Sequence, residues 1–118
     1  MKKEIAELWI KELRSGNWEQ TTQTLKDEHG YCCLGVLCEI AAKEGICKKA
    51  VDDDDEETNL YDESETVLPV SVKVWAGMNS DCGKFGNDES NTLIYLNDDE
   101  DKTFPEIADA IEKYMEIL

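Results

Sequence analysis

Residues 31–43 form a nearly continuous apolar segment, Tyr31 through Cys32, Cys33, Leu34, Gly35, Val36, Leu37 and Cys38 to Lys43, broken inside only by Glu39. A dozen or more such residues are too many for an ordinary strand and suit a helix buried on most of its sides. A helix of that kind sits at the centre of its fold and is wrapped by everything else. Gly35 in its middle costs roughly 1 kcal/mol relative to alanine, so the spacing predicts a close helix approach there. Gly45 ends the element.

The chain of 118 residues has room for one domain, 1–118, with a core able to hold itself together without staples. No apolar run approaches the roughly 18 residues that span a bilayer. The N-terminus turns amphipathic at once, without the apolar stretch of a secretory signal, so a cytoplasmic location is expected. Five cysteines, Cys32, Cys33, Cys38, Cys47 and Cys82, are an odd number, and three lie within the apolar run. That pattern fits reduced, buried thiols acting as small hydrophobes and does not fit a disulfide framework.

Either side of the central helix the elements are legible to different degrees. Ile5, Leu8, Trp9 and Leu13 recur at helical spacing, and Ser15-Gly16-Asn17 stops that helix. Trp18 follows, expected to fold back onto the core. Leu60-Tyr61 and Thr66-Val67-Leu68 suggest two short strands of a hairpin around Asp62 to Glu65. From Leu68 to Gly77, Val70, Val72 and Val74 alternate as in a strand, while Pro69 and Gly77 punctuate as in a helix. Leu93 to Leu96 is a short apolar run of open type. Thr103-Phe104-Pro105-Glu106 is a capping box, and Ile107, Ile111, Tyr114 and Leu118 make the stripe of a final helix. Trp9, Leu34, Leu37, Trp75, Ile107 and Ile111 are the expected shared core.

The charge is unevenly distributed. Residues 1–50 carry eight Lys/Arg and eight Asp/Glu; residues 51–118 carry four and twenty, which accounts for the whole net charge of −16. Such a field repels nucleic acid and anionic membrane and favours cations and basic protein surfaces. Its densest parts are Asp52, Asp53, Asp54, Asp55, Glu56 and Glu57, then Asp98, Asp99, Glu100 and Asp101. Residues 52–65 contain no basic residue and read as an acidic, solvated loop.

Specific chemistries fare less well. A metal or thiol centre would draw on His29, Cys32, Cys33 and Cys38, but there is no Cys-x-x-Cys, and Cys32 and Cys38 point to different sides of a helix. A nucleophilic cysteine would have His29 as its sole histidine base. Asp52, Asp54, Glu56 and Glu63 fall at ligand positions of a calcium loop, yet Glu57 stands where that loop needs glycine. Asn97, Asp99 and Asp101 offer a shorter cluster, so weak divalent binding is all the pattern supports. No glycine-rich phosphate loop is present, although Trp9, Trp18 or Arg14 could border a small-ligand or nucleotide pocket. No cofactor is implied.

Gly30-Tyr31-Cys32-Cys33-Leu34-Gly35-Val36-Leu37-Cys38-Glu39 resembles the signature of a family of small proteins encoded by bacteriophages and prophages. Three further pieces follow the same pattern in order: Trp9 to Gly16 with Trp18 and Gln20; Leu68-Pro69 through Val72 to Trp75-Ala76-Gly77-Met78; and Leu96-Asn97-Asp98 with Phe104 and Ile107 to Glu112. The resemblance implies a source and no activity, and it favours the helix for 68–77. The polyacidic run departs from the family pattern.

Together these readings predict a mainly helical α+β domain: about four helices around the central helix 31–43, with a minor hairpin. They further predict a non-enzymatic protein that binds a basic host or phage protein through its acidic surface, in a manner that mimics nucleic acid if the acids are held rigidly. Acids fixed on helices would serve that role better than a floppy run. The competing expectation is a small-ligand binder or a metal or thiol enzyme centred on His29 and the nearby cysteines.

Overall fold

A computed structural model describes residues 1–118, which fold into five helices and one two-stranded sheet. Helix α1 spans Lys3–Arg14 and α2 spans Cys33–Lys43. Strands β1 (Lys49–Val51) and β2 (Asn59–Tyr61) pair antiparallel, with Lys49 opposite Tyr61 and Val51 opposite Asn59. Helices α3 (Val70–Ala76), α4 (Leu93–Asp98) and α5 (Phe104–Tyr114) complete the chain.

Helix α2 is the centre. Every residue from Cys33 to Ala41 is buried, Glu39 included. It begins two residues later than the apolar run, because Cys32 is extended and caps it, its sulfur accepting from the Gly35 N–H. Gly35 does mark a close approach, but to a loop and not to a helix: a Cβ there would lie 1.8 Å from the Leu25 carbonyl oxygen. That oxygen also accepts from the Cys32 N–H at 3.1 Å.

Around α2, helices α1 and α5 pack against each other along their lengths, burying Ala6, Trp9, Ile10 and Leu13 against Ile107, Ala108 and Ile111. The Trp9 indole N–H donates to the Cys33 carbonyl at 3.0 Å, joining α1 to α2. Leu8, expected on the inner stripe, is exposed, and Ala6 and Ile10 take the inward positions instead. Trp18 folds back as expected and meets the Tyr31 ring edge-on at 4.9 Å. The capping box at Thr103 and Glu106 is present with both its reciprocal hydrogen bonds.

Residues 70–76 are helical. Pro69 is the N-cap residue, Gly77 takes a left-handed φ of 68°, and Gly77 N–H returns to α3 carbonyls as a helix end requires. The alternating valines then land differently from a half-buried strand: Val72 is buried while Val70 and Val74 face solvent, and Trp75 is only partly buried at the core edge.

The hairpin differs from the expected one. Asp62 and Glu63 do form a tight left-handed turn, with Tyr61 and Ser64 exchanging backbone hydrogen bonds. No strand returns through Thr66 to Leu68: just before it the Glu65 carbonyl accepts from the Leu25 N–H, and at its end the Leu68 N–H donates to the Asp81 carbonyl. The partner of β2 is β1, on the other side of the acidic run.

Candidate functional site

The two acidic segments are both tied to α2, each through one buried polar side chain. The first, Asp52 to Glu57, is the connection between β1 and β2. Its own carboxylates build its turns: Asp52 accepts from the Asp54 N–H at 3.1 Å, and Asp55 accepts from the Glu57 N–H and the Thr58 hydroxyl at 3.0 Å each. The remaining oxygens face outward, and all six residues are exposed except the half-buried Asp52. Glu57 shares a hydrogen bond with Glu28, and that like-charged neighbour pushes the Glu57 carboxyl above its ordinary range.

Glu39 fastens the base of this hairpin. Its Oε1 accepts from Lys49 Nζ at 2.6 Å and from the Tyr61 hydroxyl at 2.8 Å, and Tyr31 reaches it at 3.5 Å. Lys49 and Tyr61 are directly opposed in the ladder, so one carboxylate holds both strands. Burial alone would raise the Glu39 carboxyl, but the Lys49 and Tyr61 hydrogen bonds outweigh it and hold the group below its ordinary value. The same neighbourhood raises both phenols: burial first and then the Glu39 charge push Tyr31 to about 12, and Tyr61 moves up for the same reasons.

The second segment, Asp98 to Asp101, begins at the end of α4 beside Asn97. Asn97 is 1% exposed and saturated with partners. Its Oδ1 accepts from Gln20 Nε2 at 2.8 Å and from the Cys33 N–H at 3.2 Å; its Nδ2 donates to the Thr21 carbonyl at 2.9 Å and to Asp98 at 2.8 Å. One side chain therefore supplies the first N–H of α2 with an acceptor and holds the Asp98 carboxylate beside it. The sequence offers Asn97 only as a cation ligand and Glu39 for no role, and neither stands out as an anchor of the acidic segments. Their only signals are a polar residue inside an apolar run and an Asn in the Leu96-Asn97-Asp98 piece.

All twenty carboxylates after Ala50 lie at the surface, exposed or half-buried. Only Asp109 and Glu112 among them pair with a basic side chain, both with Arg14, at 2.6 and 3.2 Å.

The metal and thiol centre is not assembled. His29 precedes α2, its side chain is 72% exposed, and it pairs with Glu28 at 3.3 Å, whereas Cys33 and Cys38 are sealed in the core. Burial raises the thiols, Cys32 to about 12 and Cys47 to about 11, with Cys33 and Cys38 moved the same way, which is the opposite of an activated nucleophile. All five cysteines are unbridged. The calcium-loop reading fails on its frame: strand β1 leads into Asp52 where a helix is needed, and strand β2 lies within the span from Asp52 to Glu63; in the separate, shorter cluster the Asn97 side chain is already spent. No three of the His, Cys, Asp and Glu side chains converge on a point that could hold a metal ion.

Away from the acids, Glu12, Asn17, Trp18, Tyr31 and Lys43 line a groove of about 360 Å³, with Lys43 Nζ 5.7 Å from the Trp18 ring centre. Of the side chains expected to border a pocket, Trp18 does so and Trp9 is buried. No helix is long and apolar enough to cross a membrane.

Residues 1–115 match the family described as a domain of unknown function, DUF8296, and the chain belongs to that family. No curated protein and no solved structure matches it.

Proposed function

We propose that this member of the DUF8296 family is a non-enzymatic, phage-type accessory protein that acts in the host cytoplasm. It binds a basic protein of the host or of the phage through the acidic half of its chain. The observation that carries this reading is the unpaired state of the surface carboxylates. A chain using acids only to balance its own lysines would pair them, yet apart from Asp109 and Glu112 none after Ala50 meets a basic partner. The hold of Glu39 on the hairpin base, of the turn bonds on Asp52 and Asp55, and of Asn97 on Asp98 adds support, because a basic groove that normally holds nucleic acid is best matched by charges held in place. The phage origin rests on the resemblance of the Gly30–Glu39 signature and of the three pieces that follow the same pattern.

The test is capture from a bacterial lysate by the full chain at low and at high salt. Basic proteins retained at low salt, released at high salt and lost when Asp98, Asp99, Glu100 and Asp101 are changed to Asn or Gln are the expected outcome. Capture indifferent to both would refute the acidic surface as the binding face. One observation favours a second reading, small-ligand binding: the groove between Trp18 and Lys43, where an aromatic ring and a cation meet.

A further inference from the structure

Resting on that reading, we propose that the basic partner is engaged as an extended segment that adds a third strand to the free edge of β1. The register of the hairpin decides which backbone groups are free. Asp62 N–H donates to the Lys48 carbonyl at 2.8 Å and Asp52 N–H to the Thr58 carbonyl at 2.9 Å. In an antiparallel ladder hydrogen-bonded and non-hydrogen-bonded pairs alternate. Pairs 48/62, 50/60 and 52/58 are therefore bonded, and Lys49 and Val51 belong to the pairs whose N–H and C=O point away from β2. No other backbone bond in the chain uses those groups.

The two edges of this small sheet are treated differently. The far side of β2 is covered, with Asn59 N–H donating to the Lys26 carbonyl at 3.1 Å. The edge of β1 has no cover: Lys49, Ala50 and Val51 are all exposed, and Val51 is one of the few large apolar side chains left at the surface, at 53%. A bare edge is a template for another strand unless it is blunted. Here the means of blunting are weak. The Lys49 ammonium is drawn inward to Glu39, so it does not guard the edge as an outward lysine would.

The surroundings select the occupant. At one end of β1 the strand runs into Asp52 to Glu57, and beside it Lys48, Ala50, Asp62 and Glu63 line a recess of about 370 Å³. An acidic or neutral strand would be poorly placed there. An extended segment with alternating Lys or Arg would pair its backbone with Lys49 and Val51 while its cations lie among the carboxylates. Strand addition of this kind takes affinity from main-chain bonds and selectivity from flanking side chains.

The experiment uses the full chain and a synthetic peptide alternating Lys and Val over seven residues. The unmodified peptide is compared with one of the same sequence N-methylated at every backbone nitrogen, which keeps the charge and removes the donors. The proposal expects the unmodified peptide to bind at low salt, to slow amide exchange at Lys49 and Val51, and to bind about tenfold more tightly than the methylated one. Val51→Pro removes an outward N–H without touching a β1–β2 bond, and it should weaken binding about as much. Equal binding of both peptides would overturn strand addition and leave attraction by the acidic surface standing. Absence of peptide binding would overturn strand addition too, while salt-dependent capture of a protein would still decide the broader reading.

Discussion

Asn97 and Gly35 show how much can rest on a single residue beside α2. Asn97→Ala strands the Cys33 N–H and the Thr21 carbonyl in a buried place, while the half-buried Gln20 amide keeps its bond to the Lys102 carbonyl, and is expected to lower stability by about 2–3 kcal/mol, read from denaturant midpoints. Gly35→Ala gains roughly 1 kcal/mol of helix propensity but pushes a methyl group into the Leu25 carbonyl. The net result should still be a loss of about 1–3 kcal/mol, because the obstacle is backbone and cannot swing away. A stabilised Gly35→Ala variant would show that the Leu25 loop yields freely. The thiols give a further expectation: Cys82, the one cysteine not fully buried, should react first with a thiol reagent in the native protein, and the other four only on unfolding. The importance of Gly35 was readable from its place in an apolar helix. That of Asn97 was not, because its partners come from Gln20, Thr21 and Cys33, distant in sequence and joined only by the fold.

Elements were legible where they carried a punctuation mark together with a period or a long apolar run. Helices α1 and α5 have apolar stripes, α5 also has its capping box, and α2 is a continuous apolar run too long for a strand, so their existence follows from the residues. Helix α3 was decided by Pro69 and Gly77 against the alternation of its valines, since a seven-residue helix can leave Val70 and Val74 outside. Strand β1 was missed for a physical reason: Lys-Ala-Val shows no alternation of its own, and its pairing depends on Glu39 drawing Lys49 and Tyr61 together. That carboxylate gives the hairpin a pH dependence. Its folded-state pKa lies below the ordinary value of 4.5, so its contribution is fully present above that value and is lost as pH falls through the folded-state pKa. Glu39→Gln should therefore flatten the acid limb of the stability curve below about pH 4.5 while leaving amide protection in α5 intact. An unchanged acid limb would mean that Glu39 does not secure the strands.

The whole molecule is defined by the contrast between a balanced first half and a second half that holds all of the net charge on its surface. That asymmetry was plain in the sequence; what the fold adds is that the dense segments are built onto α2 through Glu39 and Asn97. If the charge exists to find a basic partner, it should act on encounter more than on residence, because exposed charges are screened over a Debye length of roughly 8 Å at physiological ionic strength. The association rate constant of a captured basic protein, measured against ionic strength, is therefore the most direct test. The expected result is a rate that falls steeply with added salt, a dissociation rate that changes little, and a shallower salt dependence when Asp52–Glu57 or Asp98–Asp101 is neutralised. An association rate indifferent to salt and to both changes would contradict it, and would place the binding face in the charge-balanced half of the chain.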